Sequence, residues 1–350
     1  MTANRTLLVE DLDHFESARI RLNALQNCRI IVTGGTGFVG SWLLEAILHL
    51  NRSRNLQVQA WIVSRNPDRW LQTRPHLATD PCIHIIRGDI LRPEPWIHQV
   101  PAADFVFHGA FDSGRQPGQM TPVEVLSTIV EGTRNVLQAA AAARAQRLLF
   151  ISSGAVYGGM PAHLSRFPED CLSGPDFLSP GAAYAEGKRV AEAWCAAFCS
   201  QHNIRFTAAR LFAFAGPYLP LDQHFAFGNF LRDAIAGGPI QVNSSGHSVR
   251  SYLYGADLAL WLIKLLTADK CGSVYNVGSD EAVSIRELAQ LISEIAGCKS
   301  APQFAGNEAG NGSASVYVPD ISRARSELGL DVRIGLAESI HRTLQYHIRP

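Results

Sequence analysis

Thr33-Gly34-Gly35-Thr36-Gly37-Phe38-Val39-Gly40 stands directly behind the apolar run Cys28-Arg29-Ile30-Ile31-Val32 and before a helical stretch, Trp42 to Leu50. A strand, a tight glycine turn and a helix in that order form a phosphate cradle. Gly34 permits the turn, Gly37 lets a pyrophosphate approach the backbone, and Gly40 lets helix and strand pack closely. The helix N-terminus adds free N–H groups and a partial positive charge beside Thr36, Phe38 and Val39. A three-glycine match alone is equally well an ordinary turn. The strand before it and the helix after it select dinucleotide binding.

The same alternation runs on from this turn. Gln57 to Val63, Ile83 to Ile86, Phe105 to His108, Leu148 to Ile151 and Arg205 to Leu211 read as further strands. Helical runs at Val123–Ala143 and Val190–Phe198 lie between them. Short, continuous apolar strands alternating with helices predict an α/β fold, a Rossmann-type doubly wound parallel sheet buried on both faces. Beyond Gly216-Pro217 the pattern loosens into helical pieces at Phe227–Ile235, Asp257–Leu266, Ser284–Ala296 and Leu336–Tyr346, with short strands near Ile240 and Tyr275. The expected division is an extension over 1–27, a dinucleotide-binding domain over 28–212 and a smaller mixed substrate lobe over 213–350, some of whose segments return to the first domain. A helix is expected around Phe15–Leu25, and a surface loop over 301–315.

Composition narrows the function classes. The formal net charge is zero and charged residues make up 18%, which gives no footprint for nucleic acid. No apolar stretch approaches the roughly 20 residues that span a bilayer. Glu10, Asp11, Asp13 and Glu16 break up the first 27 residues, so these do not read as a signal peptide. Seven cysteines without a framework spacing fit a reducing cytoplasm, the expected location. Cys195, Cys199 and His202 mimic a metal set at helical spacing. Lying among Ala193, Trp194, Ala196 and Phe198, they read better as buried thiols, and no metal is expected.

Tyr184-Ala185-Glu186-Gly187-Lys188 opens a helical run, so phenol and ammonium share one face at i and i+4. A tyrosine of ordinary pKa about 10 is a poor acid–base group at neutral pH, and a neighbouring ammonium is expected to lower it. Taken alone the pair also fits a solvated helix face. Ser152-Ser153-Gly154-Ala155-Val156-Tyr157-Gly158, however, begins where the fifth strand ends, on the edge where a ligand lies. A serine hydroxyl there can bond the oxygen whose proton Tyr184 moves.

With these motifs the chain resembles the extended short-chain dehydrogenase/reductases of the nucleotide-sugar epimerase/dehydratase family, over residues from about 28 to 346. The supporting marks are the glycine turn, Gly88-Asp89-Ile90, Phe107-His108-Gly109-Ala110, the serine segment, Tyr-x-x-x-Lys and Gly216-Pro217-Tyr218. Arg250-Ser251-Tyr252-Leu253-Tyr254-x-x-Asp257 and Tyr275-Asn276-Val277-Gly278 complete them. The resemblance implies Ser153, Tyr184 and Lys188 as the catalytic triad, with Ser153 also touching substrate. It implies Asp89 and Ile90 at the adenine, Gly109 and Ala110 along the dinucleotide, and Lys188 on the nicotinamide ribose. Arg250 matches the arginine that grips the sugar nucleotide's diphosphate. His224 and Asn229 are further candidates for the sugar or phosphate, although loop polar groups often meet only water.

Departures from the family pattern also inform. Dehydratases of the family follow the triad hydroxyl with an Asp-Glu pair, and decarboxylases keep the Glu. Here Gly154 and Ala155 stand at those positions, and neither moves a proton. Ala213 and Ile129 replace two family asparagines. The second strand ends in Val63-Ser64-Arg65-Asn66, where NAD-preferring relatives place an acid for the ribose 2′-hydroxyl. A guanidinium suits a 2′-phosphate, so NADP is favoured over NAD.

The expected activity is therefore NAD(P)-dependent hydride transfer at C4 of a nucleotide-linked hexose. Reduction of a 4-keto-6-deoxy sugar is favoured, with redox-neutral 4-epimerisation as the alternative. A non-catalytic nucleotide sensor is a different class, disfavoured because Ser153, Tyr184 and Lys188 are all kept. A non-sugar carbonyl reductase is disfavoured by Arg250. The resemblance also implies a homodimer through the Val123–Ala143 and Tyr184–Ser200 helices, whose Ala139, Ala142, Trp194 and Phe198 offer apolar faces.

Overall fold

The computed structural model describes residues 3–13, 15, 21–111, 120–223, 225–269, 272–305 and 315–348. Its main sheet consists of β1 (Arg29–Thr33), β2 (Gln59–Ser64), β3 (Ile83–Arg87), β4 (Phe105–His108), β5 (Arg147–Ser153), β6 (Arg205–Leu211) and β11 (Ser273–Val277). All neighbours pair in parallel, in the order β11-β6-β5-β4-β1-β2-β3. The order reverses between β1 and β4, which opens a crevice at their carboxyl ends.

Alternation along each strand feeds two cores. In β1, Ile30 and Val32 join one, under α2 (Phe38–Arg54) and α8 (Gly255–Thr267); Ile31 joins the other, under α5 (Pro122–Ala142) and α6 (Ala183–Gln201). Both faces are covered, so the strands need the continuous apolar runs seen in the sequence. Cys195 and Cys199 are buried thiols of the second core, whose burial pushes both above the ordinary thiol range. Local chemistry fixes where α5 begins. Thr121 Oγ1 accepts from the Glu124 N–H at 3.2 Å, Glu124 Oε2 accepts from the Thr121 N–H at 2.7 Å, and Pro122 takes the first helical position.

Short helices α3 (Asp68–Thr73) and α4 (Pro75–Ala78) bridge β2 to β3. The remaining elements before α8 are β7 (Ala213–Ala215), α7 (Ala226–Ile235), β8 (Gln241–Val242), β9 (Val249–Arg250) and β10 (Tyr252–Tyr254). Those after β11 are β12 (Val283–Ser284), α9 (Ile285–Ala296), β13 (Gln303–Phe304), β14 (Val316–Tyr317), α10 (Ser322–Leu328) and α11 (Leu336–Ile348). Helices α7, α9 and α11 share a third core through Phe227, Leu231, Leu288, Ile292 and Ile340. The short strand near Tyr275 is β11, a segment from beyond 212 that returns to the main sheet, where Tyr275 and Val277 complete the first core beside β6.

The N-terminal segment differs from expectation. Its helix is α1 (Ala3–Leu12), and a 3-10 turn follows at Leu22–Ala24; residues 16–20 of the expected helix lie outside the described residues. Far from lying apart from the fold, Leu8, Leu12 and Phe15 enter the first core. Asp11 is fully buried, accepting from Tyr254 Oη and from Arg342 Nη1 at 2.5 Å each. Burial pushes its carboxyl up, and these two bonds oppose the shift. Removing one partner of a buried ion pair leaves the other uncompensated. Asp11→Ala is therefore expected to cost about 3 kcal/mol, read as a lower urea midpoint; an unchanged midpoint rejects this role.

Candidate active site

The crevice between β1 and β4 is lined by backbone brought unusually close. Gly34 has φ +78°, and a Cβ there would lie 2.5 Å from the Gly109 carbonyl and 2.7 Å from the Ala110 nitrogen. A Cβ at Gly40 would lie 2.4 Å from the Gly34 oxygen. These two glycines are demanded by the protein's own atoms. Gly37 is not: it is exposed, and its Cβ would meet nothing nearer than the Gly34 oxygen at 3.5 Å. It caps α2, whose first N–H groups lack intrahelical acceptors and face outward from the turn. An anionic diphosphate fits this open, N–H-rich side. Thr36 is partly exposed on the turn. The Phe38 and Val39 side chains are partly buried against the first core, Phe38 with its ring centre 6.0 Å from that of Phe214.

The other cofactor candidates sit around the same edge. Gly109 and Ala110 are tied to Thr33 by N–H bonds to its carbonyl (3.0 Å) and Oγ1 (3.4 Å). Asp89 caps its own turn, accepting from the Leu91 N–H at 3.0 Å. Ile90 is buried against Gly132, and its carbonyl accepts from Asn135 Nδ2 at 2.8 Å. Ser64 pairs with Arg87 across β2 and β3, whereas Arg65 and Asn66 are exposed on the rim.

Ser153, Tyr184 and Lys188 converge. Ser153 ends β5, and its Oγ accepts from the Ala155 N–H at 3.2 Å, which leaves its own proton to donate. Tyr184 and Lys188 open α6. The Lys188 ammonium donates to the Ile151 carbonyl at 2.7 Å and lies 4.8 Å from the Phe150 ring centre and 6.0 Å from those of Tyr184 and Phe111. Burial in this aromatic cage lowers its pKa to about 8. The expected lowering of Tyr184 does not follow: burial beside Phe111, 5.0 Å away, raises the phenol, and only a hydrogen bond with Ser153 pulls it back. Desolvation outweighs the ammonium in the protein alone. Beneath the cage His108 is neutral, its pKa pushed down to about 3 by burial and then by Lys188, between Thr33 Oγ1 (2.8 Å) and Thr133 Oγ1 (3.0 Å).

Tyr317 is a site residue that sequence reading missed. A Cβ on Gly154 would lie 2.8 Å from Tyr317 Oη and 2.7 Å from the Phe212 ring, so no acidic side chain fits there. Tyr317 Oη donates to the Leu211 carbonyl at 3.3 Å, and its hydrogen bond with Ser153 partly offsets the rise that burial gives the phenol. The Ser153 hydroxyl thus stands between two tyrosines. Tyr317 is also paired with Arg250 across β14 and β9, the guanidinium 5.8 Å from its ring centre. Two-residue strands show no periodicity, which is why β14 gave no signal. Arg250 is anchored through Nη1 to the Val249 and Ser315 carbonyls (2.8 Å each) and through Nη2 to Ser315 Oγ (3.0 Å). Of the other two substrate candidates, Asn229 accepts from Arg232 on its own helix at 3.2 Å, and His224 lies outside the described residues. Ile129, standing for a family asparagine, packs 3.1 Å from the Cβ direction of Gly187 between Tyr184 and Lys188.

The NAD dependent epimerase/dehydratase family model matches residues 30–278, which run from the strand before the cradle to the turn after β11. This chain belongs to that family. Among curated relatives, UDP-glucuronic acid decarboxylase 1 of Danio rerio is 30% identical over 331 residues, covering 92% of this chain and 73% of the relative. UDP-glucuronic acid decarboxylase 3 of Arabidopsis thaliana is 28% identical over 316 residues, covering 90% and 87%. MoeE5 in complex with UDP-glucuronic acid and NAD superposes with a TM-score of 0.74 at 27% identity, over 92% of this chain and 99% of its own. The UDP-glucose 4-epimerase of Thermotoga maritima shares the fold at TM-score 0.78 and 20% identity, over 91% and 98%. Helix α1 precedes the matched region, so it is not part of the family model.

Gly37 separates ligand binding from folding. At φ −84° it accepts any side chain, and a methyl there meets only ordinary contacts. Gly37→Ala should leave the melting temperature unchanged and weaken dinucleotide binding by about tenfold, or 1.4 kcal/mol. Calorimetric titration that finds full affinity rejects Gly37 as ligand-facing.

Proposed function

We propose that this protein reduces a 4-keto-6-deoxyhexose carried on UDP, with NADPH as reductant. The observation that carries the reading is the convergence of Ser153, Tyr184 and Lys188 at the carboxyl edge beside the glycine cradle. A bound nicotinamide dinucleotide supplies the hydride. Gly34, Gly37 and Gly40 with the α2 N-terminus would hold its diphosphate, and Asp89 and Lys188 its two ends. Ser153 donates to the C4 oxygen and holds it in line. Tyr184 gives that oxygen its proton as the carbonyl becomes an alcohol, and burial, which raises the phenol, keeps the proton ready. Lys188⁺ stabilises the phenolate left behind. Arg250, fixed by Ser315 two residues from Tyr317, faces the UDP diphosphate.

Gly154 and Ala155 argue against dehydration and against decarboxylation, the reaction named for the Danio and Arabidopsis relatives. One site has no room for an acid and the other carries none. The choice of NADPH rests on Ser64 and Arg65, which put no carboxylate at the tip of β2. A second reading, redox-neutral 4-epimerisation, is favoured by the NAD bound in MoeE5. Single-turnover assays with a UDP-4-keto-6-deoxy sugar separate the two. Reduction predicts stoichiometric NADPH consumption, loss of roughly 10²-fold in kcat for Tyr184→Phe, and a switch toward NADH for Arg65→Glu. Tightly held NAD, with sugar interconversion in the absence of added cofactor, establishes the epimerase instead.

The homodimer is part of the same proposal, as is a cytoplasmic location. Val123 and Leu126 on α5 and Val190 on α6 are exposed apolar residues suited to a four-helix contact. Ala139, expected on that face, is instead buried in the second core. Val123→Glu with Val190→Glu should turn a dimer into a monomer by light scattering; a wild-type monomer at micromolar concentration rejects the interface.

A further inference from the structure

Helix α6 carries a third polar residue on the face that bears Tyr184 and Lys188. Glu192 follows Lys188 by one turn, at i+4, and the mechanism above does not use it. Its carboxylate is held on two sides. Ser152 Oγ, next to Ser153 at the end of β5, donates to Oε1 at 2.5 Å. Arg210 of β6 forks onto it, Nε to Oε1 at 2.9 Å and Nη2 to Oε2 at 2.6 Å. The pair is largely shielded, with side-chain exposures of 15% for Arg210 and 11% for Glu192. The guanidinium also lies 4.8 Å from the Tyr157 ring centre, and Tyr157 Oη donates to Asn276 Oδ1 at 2.7 Å. One carboxylate thus bolts the helix carrying phenol and ammonium to the strand carrying the serine.

We propose that Glu192 is a positioning residue for hydride transfer, seating Tyr184 and Lys188 against Ser153 and acting as the buried counter-charge of the Lys188 ammonium. The inference rests on the functional reading above only for the role of Lys188. The groups facing that ammonium from every packed element support it. β5 offers the Ile151 carbonyl and the Phe150 ring, and the segment after β4 offers Phe111. His108 of β4 is neutral. On α6, Tyr184 and Cys195 are held in their neutral forms by burial. From β6 the Arg210 guanidinium is bound to Glu192, and among these described groups Glu192 supplies the negative charge. Burial lowers Lys188; a Cys195 thiolate would oppose that fall first and Glu192 second, and with the thiol held neutral the opposition falls to Glu192.

The chain has four lysines, Lys188, Lys264, Lys270 and Lys299, so lysine labelled with ¹³C at Cε gives a spectrum that Lys188→Met assigns. That titration requires neither substrate nor turnover. In Glu192→Gln the Lys188 signal should titrate roughly one pH unit lower than in wild type, as expected when a nearby opposite charge is lost. The alkaline limb of kcat should move down with it, while dinucleotide affinity is retained. Arg210 left alone could unfold the single variant, so Glu192→Gln with Arg210→Met keeps the site neutral and packed. It should show a Lys188 displacement in the same direction but smaller, because the Arg210 cation leaves with the carboxylate. An unmoved Lys188 signal in either folded variant overturns the proposal. A displaced signal in a protein that does not reduce 4-keto sugars sustains it and rejects only the proposed reaction.

Discussion

The arrangement depends on how closely two turns can approach. Where β1 ends, Gly34 lies against the backbone of Gly109 and Ala110 after β4, with less space than a methyl group requires. That contact draws the first two carboxyl ends of the switch point together, and Gly40 draws the helix start down onto the same turn. The crevice exists because three backbone segments meet without side chains between them. Larger residues at Gly34 or Gly40 would push apart the walls that any phosphate must touch. Gly37 faces the gap so formed, and its openness is a different kind of requirement from the crowding of its neighbours.

The second organising feature is desolvation. Lys188 sits among aromatic rings with one carbonyl to bond, and the cost of burying its charge brings it close to neutrality near pH 8. Tyr184 is shifted the opposite way by the same burial. Nearly matched in water, the two groups are drawn apart here: the phenol holds its proton more firmly and the ammonium less. Charge is rationed in this site, so a carboxylate one helical turn away carries weight that it would lack on a surface.

Much of this was legible in the sequence, for physical reasons. β1 and its glycine turn combine a doubly buried strand with a backbone conformation that few residues adopt, and both leave marks in composition. The α5 run was legible from its helical pattern; the capping box and proline that fix its start at Pro122 come from the structure. The i, i+4 spacing of Tyr184 and Lys188 needs only helical geometry. What escaped were contacts between distant segments. Tyr317 enters the site on a two-residue strand whose partners are Arg250 and the space left by Gly154. The direction of the Tyr184 shift depends on how much water the fold removes, which spacing cannot report. Which segment beyond 212 returns to the main sheet was not legible, because a short apolar strand such as β11 reads alike in a lobe and at a sheet edge.

Helix α1 has a consequence for how the chain reaches its native state. Its apolar residues precede their partners in the chain, and Asp11 closes hydrogen bonds with Tyr254 and Arg342, residues 243 and 331 positions away. During synthesis the N-terminal portion emerges long before these partners do. Until then Leu8, Leu12 and Phe15 lack the α8 surface that shares their core. Contacts of such sequence separation are won late, because loop closure must precede them. A segment translated before both of its partners is thereby among the last to be secured, and final locking of the first core waits on the arrival of α11.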